Sequence, residues 1–288
     1  MDKRWVSALK WAGRGWIVVG FLLLFAAGPL YRQVLPATGS ILLPGRPGAD
    51  IISAFTLVGH TDSGRKKWEV QGQTADLLAD RVHLSPVVAK SFGKVEVHLT
   101  ADEGEFNKAN QDVHLQGNVV AVTTDGARLE TDSLDWVQQT ETGTTLDPVT
   151  VTRRGMKAVG RGGVGKPKLK RVRLDRDVTV TLEGQEGPTV ITCDGPMEVD
   201  YGRNRAWFFR NVLVRDSKGF VQADRMDVAL EAVTSRMEKA TFWGHVAIHH
   251  GSEVSHSNRA EYWQLRGYVR LTGHPRIVMF TEGDLFLD

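Results

Sequence analysis

The chain has 288 residues, long enough for one or two domains, and 41% hydrophobic content is enough for a packed core. A formal net charge of +2 at pH 7 is too small to point to nucleic acid, and a single cysteine, Cys193, excludes an internal disulfide. Thirty glycines, about a tenth of the chain against a usual ~7%, predict a fold with many turns.

Gly15 to Tyr31 (GWIVVGFLLLFAAGPLY) carries no charge over 17 residues, the lower limit for a helix that spans a bilayer. Lys3, Arg4, Lys10 and Arg14 precede it and only Arg32 and Arg46 follow closely, which predicts a cytoplasmic N-terminus and an exported remainder. Residues 1–35 therefore read as a single-pass anchor. The alternative is a cleaved signal peptide, since Ala26-Ala27-Gly28 resembles a cleavage site, but Pro29 follows poorly after a cut and the run exceeds the usual apolar core. Residues 36–50 (PATGSILLPGRPGAD) read as a Pro/Gly-rich spacer. From Phe55 to Leu77 the pattern is a hairpin turning near Asp62-Ser63-Gly64, with Trp68 and Val70 on one face.

From there the chain repeats. Each copy opens with a small or hydroxyl residue and an acid, passes through a polar turn, and ends near a Gly/Asn-x-Val or Pro-Val step. The acids Asp76, Asp102, Asp132, Asp194, Asp224 and Glu261 lie 26, 30, 62, 30 and 37 residues apart, by subtraction. A period of about 30 results, with one copy disguised where Gly160 to Gly165 replaces the acid. Asp112 to Thr123 and Val212 to Val221 alternate apolar and polar with period two, as half-buried strands do. Stacked units of short antiparallel strands are the expected architecture, with no helix longer than two turns after residue 31. Gly184 to Pro188 (GQEGP) punctuates the pattern, which restarts at Thr189, and predicts domains over 51–185 and 188–288.

Candidate chemistry is sparse. GRGGVGKP, Gly160 to Pro167, matches G-x-G-x-x-G and most of a P-loop, but Pro167 stands where a hydroxyl is needed and a strand follows where a helix should. His245, His249, His250 and His256 with Glu253 have zinc-ligand chemistry, yet alternation sends His249 and His250 to opposite faces and residues 249–256 read as a polar hairpin turn. An acid recurring once per unit reads as a turn or strand-end cap, not a catalytic pair. Cys193 has no partner base and reads as a small core residue. These patterns predict a protein that is not an enzyme, with no metal and no cofactor. The basic run Lys166, Lys168, Lys170, Arg171, Arg173, Arg176 is either the solvated face of a strand or a contact for anionic headgroups.

Taken together these features resemble the periplasmic proteins of the lipopolysaccharide export system. Residues 1 to about 182 look like the LptC family: an N-terminal anchor, GRKKWEV with Trp68, Ala75, Ala101 with Gly104, LQGNV, LETDSLDW, and DPV followed by Gly160 and Gly162. Residues 189 to 288 look like the LptA/OstA type in CDGPMEVDY, Arg205-Ala206-Trp207-Phe208, FVQADRMDV and RAEYWQLRGYVRLTGHPRIV. A plain LptC-like chain would stop near Leu182, so the fusion is a departure from the family's pattern.

The resemblance implies an all-β, folded-over antiparallel sheet of jelly-roll type whose apolar slot holds lipopolysaccharide acyl chains. Trp68, Phe106, Leu115, Val119, Leu134 and Val212 are the candidate slot residues, and Lys168, Lys170, Arg171 and Arg173 the candidate headgroup contacts. It implies an inner-membrane, single-pass protein with most of the chain in the periplasm. The implied partners are an ABC transporter complex of LptB, LptF and LptG type, and an LptA-like bridge protein or LptD-type receptor. The apolar C-terminal stretch Ile277, Val278, Met279, Phe280 is the candidate docking edge, because an open edge strand pairs with any strand offered to it. Two other classes are a structural or adhesive envelope β-solenoid without lipid transport, and a polysaccharide-active enzyme, which would need clustered acids.

Overall fold

The computed structural model describes residues 50–60, 64–77, 80–92, 96–124, 126–153, 155–166, 169–184, 187–231, 237–251, 253–264 and 266–279. The expected anchor, the spacer up to its last residue, Lys168 and Phe280 lie outside them. Among the described residues no helix is long and apolar enough to cross a membrane. Every described element is a β-strand, and the defined ladders are antiparallel. Described residues up to Arg153 and Val159–Leu174 form one compact unit, here the N-terminal unit; Gly155–Ala158 and Asp175 onward form the C-terminal unit.

The N-terminal unit is built from β1 (Asp50–His60), β2 (Lys66–Leu77), β3 (Arg81–Ser85), β4 (Val87–Ser91), β5 (Val97–Ala101), β6 (Glu103–Asn107), β7 (Val113–Thr123), β8 (Arg128–Val137) and β9 (Thr142–Arg153). It also takes most of β10 (Met156–Lys166) and the start of β11 (Arg171–Leu182). Its strands are interrupted halfway at matching places. β2 pairs with β4 through Trp68–Gln71 and with β3 through Thr74–Leu77, and Pro86 separates those two short strands. β7 likewise pairs with β5 through Thr100↔Val120 and with β6 through Glu103↔Gln116, on either side of Asp102. Opposite Asp102 stand Gly117 and Asn118, both left-handed at φ 77 and 48. Two consecutive left-handed residues form a bulge that bends the strand, and Gly and Asn are the residues that tolerate it. The bend is tied down: the Asp102 N–H donates to the Gly117 carbonyl at 2.9 Å, and Asn118 Nδ2 donates to Asp102 Oδ2 at 2.7 Å.

The C-terminal unit continues from Asp175 in β11, through β12 (Thr189–Cys193), β13 (Met197–Asp200), β14 (Arg205–Asp216), β15 (Gly219–Leu230), β16 (Met237–His250), β17 (Glu253–Trp263), β18 (Tyr268–Thr272) and β19 (Arg276–Met279). β11 and β12 pair from Val178↔Cys193 to Leu182↔Thr189, so Gly184 to Pro188 is the loop of their hairpin. The same bend recurs here. Arg210-Asn211 and Gly244-His245 are left-handed pairs, and Asp194 and Asp224 face them. Asn211 Nδ2 donates to Asp194 Oδ2 at 2.5 Å, and His245 Nδ1 lies 2.9 Å from Asp224 Oδ2.

These bends are the physical content of the repeat. The valine after each is buried: Val87, Val119 and Val149 in the N-terminal unit, Val178, Val212 and Val246 in the C-terminal one. The residue before each of the acids Asp102, Asp132, Asp194 and Asp224, and before Asn258, is small and buried, namely Ala101, Thr131, Cys193, Ala223 and Ser257, which is where Cys193 belongs. Gly162, left-handed at φ 72, holds this place in the copy without an acid. Two readings of the sequence need correction. Glu261 is not the sixth anchor, because Asn258 occupies that step and its N–H donates to the Gly273 carbonyl at 2.9 Å. Val212 to Val221 is not one strand: Asp216 Oδ1 accepts the N–H groups of Lys218 and Gly219 at 2.8 and 3.0 Å and turns the chain between β14 and β15.

Candidate functional site

Strand alternation places the candidate slot residues. In β7, Val113, Leu115, Val119 and Ala121 point inward, the alternation staying in phase across the bend at Gly117-Asn118. Leu115 faces Leu134 across the β7–β8 ladder, and Phe106 stands between Val82 and Val113 in neighbouring ladders. Trp68 is made possible by its cross-strand neighbour: a Cβ on Gly59 would sit 2.2 Å from Trp68 Cε2, so only glycine lets the indole lie across β1. Trp68, Leu115, Val119 and Leu134 share one apolar cluster with Leu84, Val97, Leu99 and Trp136, and Phe106 packs against it half-buried.

Five of the six slot candidates are thus together in the N-terminal unit. Val212 is in the C-terminal unit, facing Ala223. The side chains of this cluster are covered by their neighbours, with Leu115 1% and Val119 0% exposed. Phe106 is the candidate that reaches its margin.

The described residues of the basic run flank the β10–β11 turn and continue into β11. Arg171 and Arg173 are exposed and Lys170 is half-buried. Just before them the sequence reading missed Leu169, 57% exposed at the turn, where its N–H donates to the Lys166 carbonyl at 3.1 Å. A large apolar side chain in a cluster of cations was the available signal. At the far end of the chain β19 pairs with β17 from Glu253↔Met279 to His256↔Arg276, and Ile277 and Val278 are exposed at 61% and 43%.

Polar chemistry is dispersed. His249 stacks on Phe220 with ring centroids 4.1 Å apart, while His250 Nδ1 lies 3.2 Å from the Lys218 carbonyl. Both close β16 and Glu253 opens β17, so the turn at 249–256 is tighter than the sequence suggested. Among the described residues no three of His, Cys, Asp and Glu are grouped to hold a metal. Burial pushes the Cys193 thiol up, away from the thiolate a nucleophile needs. The acid with the best-defined environment is Glu261: a hydrogen bond from Lys239 at 2.5 Å, opposed by burial and helped by Arg259 at 2.6 Å, holds it below the ordinary carboxylate value. This is a structural cluster on paired strands.

With this geometry in hand, comparison with known families gives one result. Residues 51–183 match the family described as lipopolysaccharide-assembly, LptC-related. The similarity runs from the second residue of β1 to one residue beyond β11, 133 of 288 residues by subtraction, and takes in the whole of the apolar cluster. No curated protein matches the chain.

Proposed function

We propose that this protein is an inner-membrane-anchored periplasmic component of lipopolysaccharide export. It holds lipopolysaccharide acyl chains in the apolar interior of a folded-over, jelly-roll-like sheet and passes them toward the outer membrane. The observation that carries the reading is the LptC-related similarity over residues 51–183, which coincides with the strands enclosing the apolar cluster. The charge bias around Gly15 to Tyr31 supports the anchor. Residues 51–185 form the LptC-like segment and 188–288 an LptA/OstA-like segment that extends it. Trp68, Phe106, Leu115, Val119 and Leu134 line the slot of the N-terminal unit, and Val212 lines that of the C-terminal unit. Each buried chain methylene contributes about 0.8 kcal/mol.

Because Leu115 and Val119 are fully covered, the sheet has to part at Phe106 before a chain enters. Lys168, Lys170, Arg171 and Arg173, together with Leu169, meet the anionic headgroup or membrane surface. An ABC transporter of LptB, LptF and LptG type lies upstream. Downstream, β19 with Ile277, Val278 and Met279, followed in sequence by Phe280, offers an edge to an LptA-like bridge protein or an LptD-type receptor. The near-complete coverage of Leu115 and Val119 favours a second reading, an envelope scaffold without lipid transport. Depleting the protein in cells decides between them: newly made lipopolysaccharide is expected to stay in the inner-membrane fraction. Normal arrival at the cell surface after depletion would leave the scaffold reading.

A further inference from the structure

The C-terminal unit contains a recess of about 580 Å³, open solvent included, with Val214, Phe242, Ile248 and Val269 as its main walls. Two hydroxyls interrupt this apolar lining, on the buried residues Thr189 and Tyr262, and neither Thr189 Oγ1 nor the Tyr262 hydroxyl has a hydrogen-bond partner. Burial pushes the Tyr262 phenol up, so it stays protonated and remains a donor. A buried hydroxyl without a partner is a net cost to the fold, so the group that belongs in this recess brings apolar bulk together with acceptor oxygens. An extended peptide has both, since it carries one carbonyl per residue beside its side chains.

Strand register shows which peptide is within reach. Asp216 and Gly219, both part of the lining, face each other at the β14–β15 turn. From Gly219 one continuous row crosses the sheet: Gly219 faces His250, His250 faces Glu253, and Glu253 faces Met279, the last residue of β19. Three strand spacings separate the ends of this row, roughly 14 Å along the sheet. Residues 280–288 (FTEGDLFLD) follow Met279 and lie outside the described residues. An extended chain covers that distance in about five residues, which brings Leu285 and Leu287 level with the turn. In such a chain Leu285 and Leu287 share a face with Thr281 and Gly283, while Glu282 and Asp284 stand on the other. The turn carries Lys218, of opposite charge to those two acids, and its own acid, Asp216, is committed to the N–H groups of Lys218 and Gly219.

We propose that this recess is an intramolecular docking site for residues 280–288. Leu285 and Leu287 enter the apolar space, backbone carbonyls of the segment accept from Thr189 and Tyr262, and Glu282 and Asp284 stay outside, toward Lys218. The segment thereby caps the interior of its own unit and competes with any other apolar occupant. A weak contact suffices, because a short tether presents the segment at a millimolar effective concentration. Lining and segment both lie outside the 51–183 similarity, so the inference does not rest on the export reading.

Two measurements on the full-length protein in nanodiscs, without lipopolysaccharide, test it. A diazirine-bearing residue in place of Leu287 is expected to form adducts within one polypeptide, on peptides that carry Val214, Gly219 or Ile248. Adding Leu285→Asp lowers their yield about tenfold or more, the worth of burying one leucine. Amide exchange across residues 280–288 is expected to be about tenfold slower than in a free peptide of the same sequence, by the same reckoning. Leu285→Asp restores the free rate, and because it lies beyond the last strand it leaves the ladders intact. Adducts only between two copies, adducts spread over the outer faces of the strands, a yield insensitive to Leu285→Asp, or exchange at the free-peptide rate overturns the proposal. None of these readouts moves if the export reading fails, and the reverse holds.

Discussion

The two units use the same bend and fill it differently. In the N-terminal unit the bends at Asp102 and Gly117-Asn118 enclose a cluster in which Leu115, Val119 and Trp136 are sealed by their neighbours. In the C-terminal unit the bends at Asp194, Asp224 and Gly244-His245 enclose an interior that keeps a recess and two unpartnered hydroxyls. The difference teaches that the repeat specifies the backbone path, while the residues between the bends decide which groups the interior holds. A short, hydrogen-bonded motif fixes a local bulge independently of what the flanking strands enclose.

The largest expected effect comes from charging the sealed interior. Val119→Asp should cost about 4 kcal/mol in urea denaturation, because an unpaired carboxylate replaces a fully buried methyl pair. Ile277→Asp, at an exposed site on β19, should change stability by no more than about 0.5 kcal/mol. Next come the bends. Gly117→Ala and Gly244→Ala each place a Cβ against an Asp carboxylate, 2.4 Å from Asp102 Oδ2 and 2.0 Å from Asp224 Oδ2, at left-handed φ. A loss of about 2 kcal/mol is expected for each. Equal losses in both units would sharpen the view of one motif used twice, and a loss in only one would break it. Asp102→Ala should cost about 1 kcal/mol, the net value of its hydrogen bond from Asn118.

Smaller still is a pH effect confined to the C-terminal unit. Glu261 is held below its ordinary value of 4.5, first by the Lys239 hydrogen bond, so its contribution is fully present above that value. The contribution is lost as pH falls below 4.5 through the folded value. Thermal melts of Glu261→Gln should therefore converge with the parent in acid and differ at neutral pH, and a constant difference across that range would remove Glu261 as the cause. The smallest effect is expected at Cys193, which fills the place held by Ala101 and Ala223. Cys193→Ala should cost less than about 1 kcal/mol.

Much of this fold was legible in the sequence because the bend consumes recognisable residues. Asp102, Asp194 and Asp224 recur with a period near 30 since a carboxylate is needed opposite each left-handed pair. The glycines at 160–165 were readable as a replaced acid for the same reason, Gly162 taking the left-handed conformation directly. Glu261 misled because an acid three residues from Asn258 carries the same letter-level signal with a different job, pairing Lys239 and Arg259. The β14–β15 turn was hidden because alternation runs in phase across Asp216 to Gly219, so period two alone cannot reveal a reversal. The recess was not legible at all: Thr189 and Tyr262 are far apart in sequence, and only the strand register brings them to one cavity. Leu169 was overlooked because the cations around it dominate the composition of the turn.

The central claim is that acyl chains enter at the margin of the N-terminal cluster, and site-specific photocrosslinking in cells tests it most directly. A photoreactive residue replaces Phe106, half-buried against the cluster, or His98, exposed on the outer face of β5, and the protein is blotted for lipopolysaccharide after irradiation. The account predicts an adduct at Phe106 and none at His98. No adduct at Phe106, or equal adducts at both positions, would contradict it.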